Sequence, residues 1–296
     1  MLDIAQRQYS QSGKVKISYL EWKSHALSQA ASSQNTNNSK KLLLLHGLAD
    51  CGVVWSSLGE YLADDYHIVA PDLRGHGESS KPDRGYSSAE IIADLEALMT
   101  HLNWTQAHIL GHSWGGKVAA IWATMQPQRF SSLILVDPFY IDRLPSWIKI
   151  TFPLLYRVLP FLQGMGPFEN QATAVKLAQN LKQYRQWSEL QQKVFYSSIE
   201  PKSDGTWGSK FTVAARNQIF DDVMQQAGLT KSLAIPTLFI QPSAGINRTQ
   251  WQLKPYRRYL PNLEIAQVVG NHWVFLTNPE QFNRKVAQFL ADRECS

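Results

Sequence analysis

From Lys41 to Asp137 the chain alternates short apolar runs with longer segments of helical character, and that alternation constrains the fold more than any other feature. Leu42-Leu43-Leu44-Leu45, Ile68-Val69-Ala70, Ile109-Leu110 and Leu133-Ile134-Leu135-Val136 have no polar side to present to water. Strands of that kind are buried on both faces, which a parallel sheet covered by crossover helices achieves. The helices between them are expected over 53–62, 87–102 and 115–126, the second with Glu90 in its first turn. Lys14 to Trp22 alternates apolar with polar and predicts an antiparallel strand near the sheet edge. Residues 28–39, almost all Ser, Gln, Asn, Thr and Ala, have little to bury and predict an exposed, mobile loop.

After Asp137 the alternation stops. About a hundred residues of helical pattern precede the next clear strand, Thr237 to Ile240, far more than a strand-to-helix connection needs. The expected organisation is therefore an α/β core in two parts, 1–137 and 234–296, interrupted by a mainly helical cap over 138–233. Residues 144–162 are apolar and broken by prolines, and two uses are open for them. They seat the cap on the core, or some of them, with Trp147 and Phe152 as candidates, line an apolar substrate pocket or touch a membrane surface transiently. Longer amphipathic helices are expected over 171–199. Asp204-Gly205-Thr206-Trp207 is a turn, and the chain runs back from Phe211 to Leu233.

Composition narrows the partners. A chain of 296 residues that is 44% hydrophobic buries an ample core. Its net charge of +5 is not gathered into a Lys/Arg block, which argues against nucleic acid. Cys51 and Cys295 form neither a disulfide framework nor a metal-ligand pattern, so reduced thiols in a cytoplasm are expected. The first residues carry no secretory pattern, and no apolar run is long enough to span a bilayer. Oligomeric state leaves no trace in the sequence.

The chemistry centres on Gly111-His112-Ser113-Trp114-Gly115, which stands between an apolar strand and a helix rich in small residues. A serine held at the tip of a tight strand-to-helix turn needs small neighbours, which the two glycines supply. Three further segments fall in order around it: His46-Gly47-Leu48 after the first apolar strand, Asp72 to Ser80 after the second, and Gly270-Asn271-His272-Trp273 after a strand at Glu264 to Val269. With these four motifs the chain resembles the α/β-hydrolase superfamily over nearly all of its length outside the middle. The resemblance implies a mostly parallel, doubly wound sheet with an inserted helical cap. It also implies a nucleophile, an acid and a histidine in that chain order.

On that pattern Ser113 is the nucleophile and His272 the base that activates it, because a neutral hydroxyl is a poor nucleophile. The backbone amides of Leu48 and Trp114 are the expected oxyanion donors. His46 and His76 are expected to shape the loops around them, and His46 and Trp273 are further candidates for the substrate pocket. The side chain of His112 is expected to point away from the site. Trp114 resembles the elbow of haloalkane dehalogenases and epoxide hydrolases, whose nucleophile is an aspartate. A serine in that place suits acyl transfer.

The acid departs from the common pattern. The loop after Ile240 reads Gln241-Pro242-Ser243-Ala244-Gly245-Ile246-Asn247-Arg248 and holds no carboxylate. Asp137, at the end of the preceding strand, is the expected substitute. The alternatives are a serine–histidine dyad helped by Asn247 or water, or a degenerate site. The expected activity is a cofactor-free serine hydrolase acting on a small-molecule ester or thioester with a sizeable apolar part. Carbon–carbon bond hydrolysis, cofactor-free peroxidase or lyase chemistry, and a non-catalytic binding role are its rivals.

Overall fold

A computed structural model describes residues 5–23, 40–143 and 165–293. The expected loop over 28–39 and the candidates Trp147 and Phe152 lie outside the described residues.

In chain order the described strands are β1 (Gln6–Ser12), β2 (Val15–Trp22), β3 (Lys40–Leu45), β4 (Tyr66–Pro71), β5 (Ala107–His112), β6 (Phe130–Val136), β7 (Ile199–Pro201), β8 (Trp207–Ser209), β9 (Thr237–Ala244) and β10 (Leu263–Asn271). The helices are α1 (Ser56–Leu62), α2 (Ser88–His101), α3 (Ser113–Met125), α4 (Gln171–Ala178), α5 (Glu189–Ser198), α6 (Val213–Gln225), α7 (Gln250–Tyr259), α8 (Val274–Thr277) and α9 (Pro279–Asp292). Eight strands form one sheet in the order β1-β2-β4-β3-β5-β6-β9-β10. The β1–β2 and β2–β4 pairs are antiparallel, and every pair from β4 to β10 is parallel. This is an α/β-hydrolase fold with a mostly parallel sheet.

The four leucines of β3 show why its sequence carries no alternation. Leu43 and Leu45 enter the core under α2 and α3, while Leu42 and Leu44 enter the core under α1 and α9. Period-two geometry is intact, but both faces are covered. Truncating a side chain of this kind to alanine costs about 2–5 kcal/mol. The α2 helix starts as its sequence suggests: Ser87 and Glu90 form a reciprocal capping box that satisfies two orphaned amides.

Two boundaries move. The helix expected over 53–62 is a 3-10 turn at Gly52–Trp55 followed by α1. The elbow helix starts at Ser113, two residues earlier than its small-residue pattern suggested. The edge strand β1 is an addition: Gln6–Ser12 is polar and has no apolar period, and backbone pairing with β2 along its whole length holds it in the sheet.

Sequential strands run outward from β3 on both sides, to β4 in one direction and to β5 in the other. That reversal opens a crevice at the carboxyl ends of β3 and β5, where open α/β sheets place their ligands. Between β6 and β9 none of the described residues joins the large sheet. Ile219, Phe220 and Val223 of α6 pack into the α2–α3 core, whereas Ala174, Val194 and Phe195 of α4 and α5 pack into the α1–α9 core. Among the described residues no helix is long and apolar enough to cross a membrane.

Candidate active site

Ser113 follows the last residue of β5 and is the first of α3, with φ of 51°. A left-handed serine costs about 1–3 kcal/mol and persists only where its surroundings over-determine it. Here they do. A Cβ on Gly111 would stand 2.5 Å from the Gly115 carbonyl oxygen, and one on Gly115 would stand 2.4 Å from that of His46. Neither approach tolerates a side chain, so both glycines hold strand, helix and the β3 loop together around the serine. The Phe139 amide donates to the Ser113 carbonyl at 2.8 Å, which ties the elbow to the chain leaving β6. The first amides of a helix have no partner inside it, so Trp114 offers an N–H at the positive end of α3.

Asp137 lies just past the end of β6, also left-handed with φ of 40°, and is wholly buried. Its Oδ2 is 2.6 Å from His272 Nδ1. The same oxygen accepts the Ile246 amide at 2.8 Å, and Oδ1 accepts the Asn247 amide at 3.0 Å and the Asn247 side chain at 3.1 Å. The loop after β9, which lacks a carboxylate, thus supplies three donors to the carboxylate of the neighbouring strand. Asn247 faces Asp137 and also donates to the Pro138 carbonyl at 2.7 Å. Since a carboxylate on Nδ1 keeps the proton there, Nε2 of His272 is left as the basic nitrogen.

His46 and His76 do structural work. His46 is fully buried: its Nδ1 donates to the Gly47 carbonyl at 2.7 Å and its Nε2 accepts the Leu73 amide at 3.0 Å. That removes it from the pocket candidates, because both ring nitrogens are spent on tying the β3 loop to the β4 loop. His76 stacks on Phe211 and Trp114 with centroids 4.2 and 5.3 Å away. Burial pushes the imidazoles of both below their ordinary range, which keeps them neutral. Arg74 in the same β4 loop is pinned to Asp94 of α2 by two hydrogen bonds of 2.5 and 2.7 Å.

His112 corrects its expected orientation. Its ring forms part of the cavity wall, 4.5 Å from the His272 ring, and its Nε2 donates to the His272 carbonyl at 3.0 Å. Strand alternation does turn it away from the elbow tip, but the loop after β10 comes up on that side to meet it.

Ser113, Trp114, Leu48, His272 and Trp273 all line one cavity of about 500 Å³. Phe139, Leu181, Ile219, Phe220 and Val223 give it apolar walls, three of them from α6. Asp137 stands behind His272 rather than in the lining. Asp50 and Arg248 also reach the cavity, and no sequence motif marks either of them. Among the described residues no group of three or more His, Cys, Asp or Glu side chains is arranged to hold a metal ion.

The fold is shared with known proteins. The chain is 34% identical over 116 residues to a soluble epoxide hydrolase of Corynebacterium sp. (strain C12), a match that spans 38% of each protein. It is 23% identical over 273 residues to a serine hydrolase-like protein of Danio rerio, covering 86% of this chain and 82% of the relative. Among solved structures, E-2-(acetamidomethylene)succinate hydrolase superposes with a TM-score of 0.76 at 19% identity, over 97% of this chain and 100% of that one. The model of the α/β hydrolase fold family matches residues 40–279, from β3 to the first residue of α9, and the chain belongs to that family.

Proposed function

We propose that the chain is a serine hydrolase that cleaves an ester or thioester with a sizeable apolar part through an acyl-enzyme. The observation that carries this reading is the 2.6 Å contact between His272 Nδ1 and buried Asp137 Oδ2, with His272 lining the same cavity as the strained Ser113. In the first half-reaction Ser113 Oγ attacks the carbonyl carbon as its proton passes to His272 Nε2. The imidazolium that forms is stabilised by Asp137, which stays ionised and holds the ring's orientation. Negative charge collects on the carbonyl oxygen, where the amides of Leu48 and Trp114 receive it; one such donor is worth about 3 kcal/mol. The leaving group departs with the proton from His272. Water then repeats the sequence on the acyl-serine. The aliphatic and aromatic walls from α6 and Leu181 support an apolar substrate part.

The test is a series of p-nitrophenyl esters of graded acyl length together with a fluorophosphonate probe. Turnover that rises with chain length, and covalent labelling of the wild type but not of Ser113→Ala, are expected. That variant should lose about six decades of kcat. An intact protein that neither turns over these esters nor labels at Ser113 would exclude the reading.

A further inference from the structure

One pair of polar atoms in the cavity wall has no use in the chemistry above. Asp50 Oδ2 and His112 Nδ1 are both buried, neither has a hydrogen-bond partner, and they face each other at 3.8 Å. The remaining positions of both side chains are taken: Asp50 accepts from the Trp273 side chain, and His112 Nε2 donates to the His272 carbonyl. Gly47 lies against both, since a Cβ there would be 2.7 Å from His112 Nδ1 and 3.1 Å from Asp50 Oδ2. Its missing side chain leaves the two free to close by about 1 Å to hydrogen-bond length.

We propose that Asp50 and His112 share one proton between Asp50 Oδ2 and His112 Nδ1, and that the pair is a positioning device. It fixes the backbone carrying His272 against β5 and the loop after β3. The protonation states agree with this. Burial pushes the Asp50 carboxyl up to about 7 and the His112 imidazole well below its ordinary range. Both shifts favour a neutral acid facing a neutral imidazole, so the proton sits on Asp50 and is donated to Nδ1. His112 then bears its own proton on Nε2, the tautomer that its bond to the His272 carbonyl requires. Loop, strand and His272 are linked in one directed chain.

The groups facing Asp50 are the Cys51 thiol from its own loop, the Tyr184 hydroxyl, the Trp273 indole and His112, with His272 and His46 beside His112. Lys182 and Arg248 line the same cavity. When Asp50 ionises, its carboxylate confronts a bare nitrogen lone pair and the link opens. Positioning of His272 is therefore complete below the Asp50 midpoint and lost above it.

The consequence for turnover rests on the serine-hydrolase reading; the shared proton does not. In protein labelled with [13C]aspartate, with Asp50 assigned through Asp50→Asn, one carboxyl should titrate at about 7. A midpoint in the ordinary carboxylate range overturns the pair whether or not the protein hydrolyses esters. In 15N-histidine spectra His112 should carry its proton on Nε2, and His272 should shift in Asp50→Ala but not in Asp50→Asn, whose amide N–H replaces the acid. With ester substrate, Asp50→Ala should lower kcat about tenfold, or about 1.4 kcal/mol, with little change in KM. Asp50→Asn should stay within about threefold of wild type and lose the decline above pH 7. An Asp50→Asn variant as slow as Asp50→Ala, or one that keeps the alkaline decline, overturns the positioning role. Absent turnover and absent Ser113 labelling in the wild type would strike the hydrolase reading alone.

Discussion

The two ends of β5 and β6 carry similar chemistry to different effect. Near their amino ends His108 and Ser132 are cross-strand partners, and His108 Nδ1 meets the Ser132 hydroxyl at 2.8 Å. Just beyond their carboxyl ends stand Ser113 and Asp137, and Asp137 meets His272 at 2.6 Å. Each end has a histidine nitrogen hydrogen-bonded to a side-chain oxygen. At the amino end both residues keep strand conformation and satisfy one another. At the carboxyl end Ser113 and Asp137 are both left-handed, and Ser113 opens on a cavity at the point where strand order reverses. A polar pair becomes a site where topology leaves a crevice and the backbone is held out of its preferred region.

Substitutions at the two ends can break that contrast. The largest expected effect is at Asp137→Asn, which on the proposed mechanism removes the charge that orients and stabilises His272; kcat should fall by about four decades while thermal stability changes far less. An unchanged kcat would dissolve the distinction between the ends. Asn247→Ala deletes one of the three donors from the β9 loop to Asp137 and should lower kcat about tenfold in a steady-state assay. A loss as large as that of Asp137→Asn would mean that the loop itself carries the reaction.

The smallest expected effect belongs to the amino end and concerns stability alone. Burial lowers the His108 pKa from 6.5 to about 4. Between those values the unfolded chain binds a proton there and the folded chain does not, so stability falls as pH drops from 6.5 to 4. The change over that window is about 3 kcal/mol. Urea unfolding of His108→Gln should show that part of the pH dependence removed, with kcat at pH 7 within about twofold of wild type. A His108→Gln variant that loses turnover would show that the amino end is not merely structural.

Much of this was legible in the sequence because it depends on local pattern. Leu42 to Leu45 can only be a strand covered on both faces, and Gly111 to Gly115 marks the elbow because each glycine sits where no side chain fits. The edge strand β1 was not legible, since its stability comes from pairing and its polar residues carry no period. His112 was misplaced for a related reason. Strand alternation gives the face of the sheet on which a residue lies, not which distant loop arrives there. Asp50 carries no motif, and its environment is assembled from β5, the β10 loop and residues near Tyr184.

By itself the sequence determined the alternating strands and helices, the strained serine between its glycines and the histidine after the last strand. These follow from steric and hydrophobic rules that act over a few residues. The sequence offered Asp137 as the expected acid beside a dyad helped by Asn247 or water; the contact itself was made only by tertiary structure, because Asp137 and His272 are 135 residues apart and become partners through the adjacency of β6, β9 and β10. The same holds for Asn247, whose donors serve Asp137 across 110 residues of chain, and for Asp50 facing His112. Contacts of that range depend on sheet order and loop approach, and no short stretch of chain encodes either.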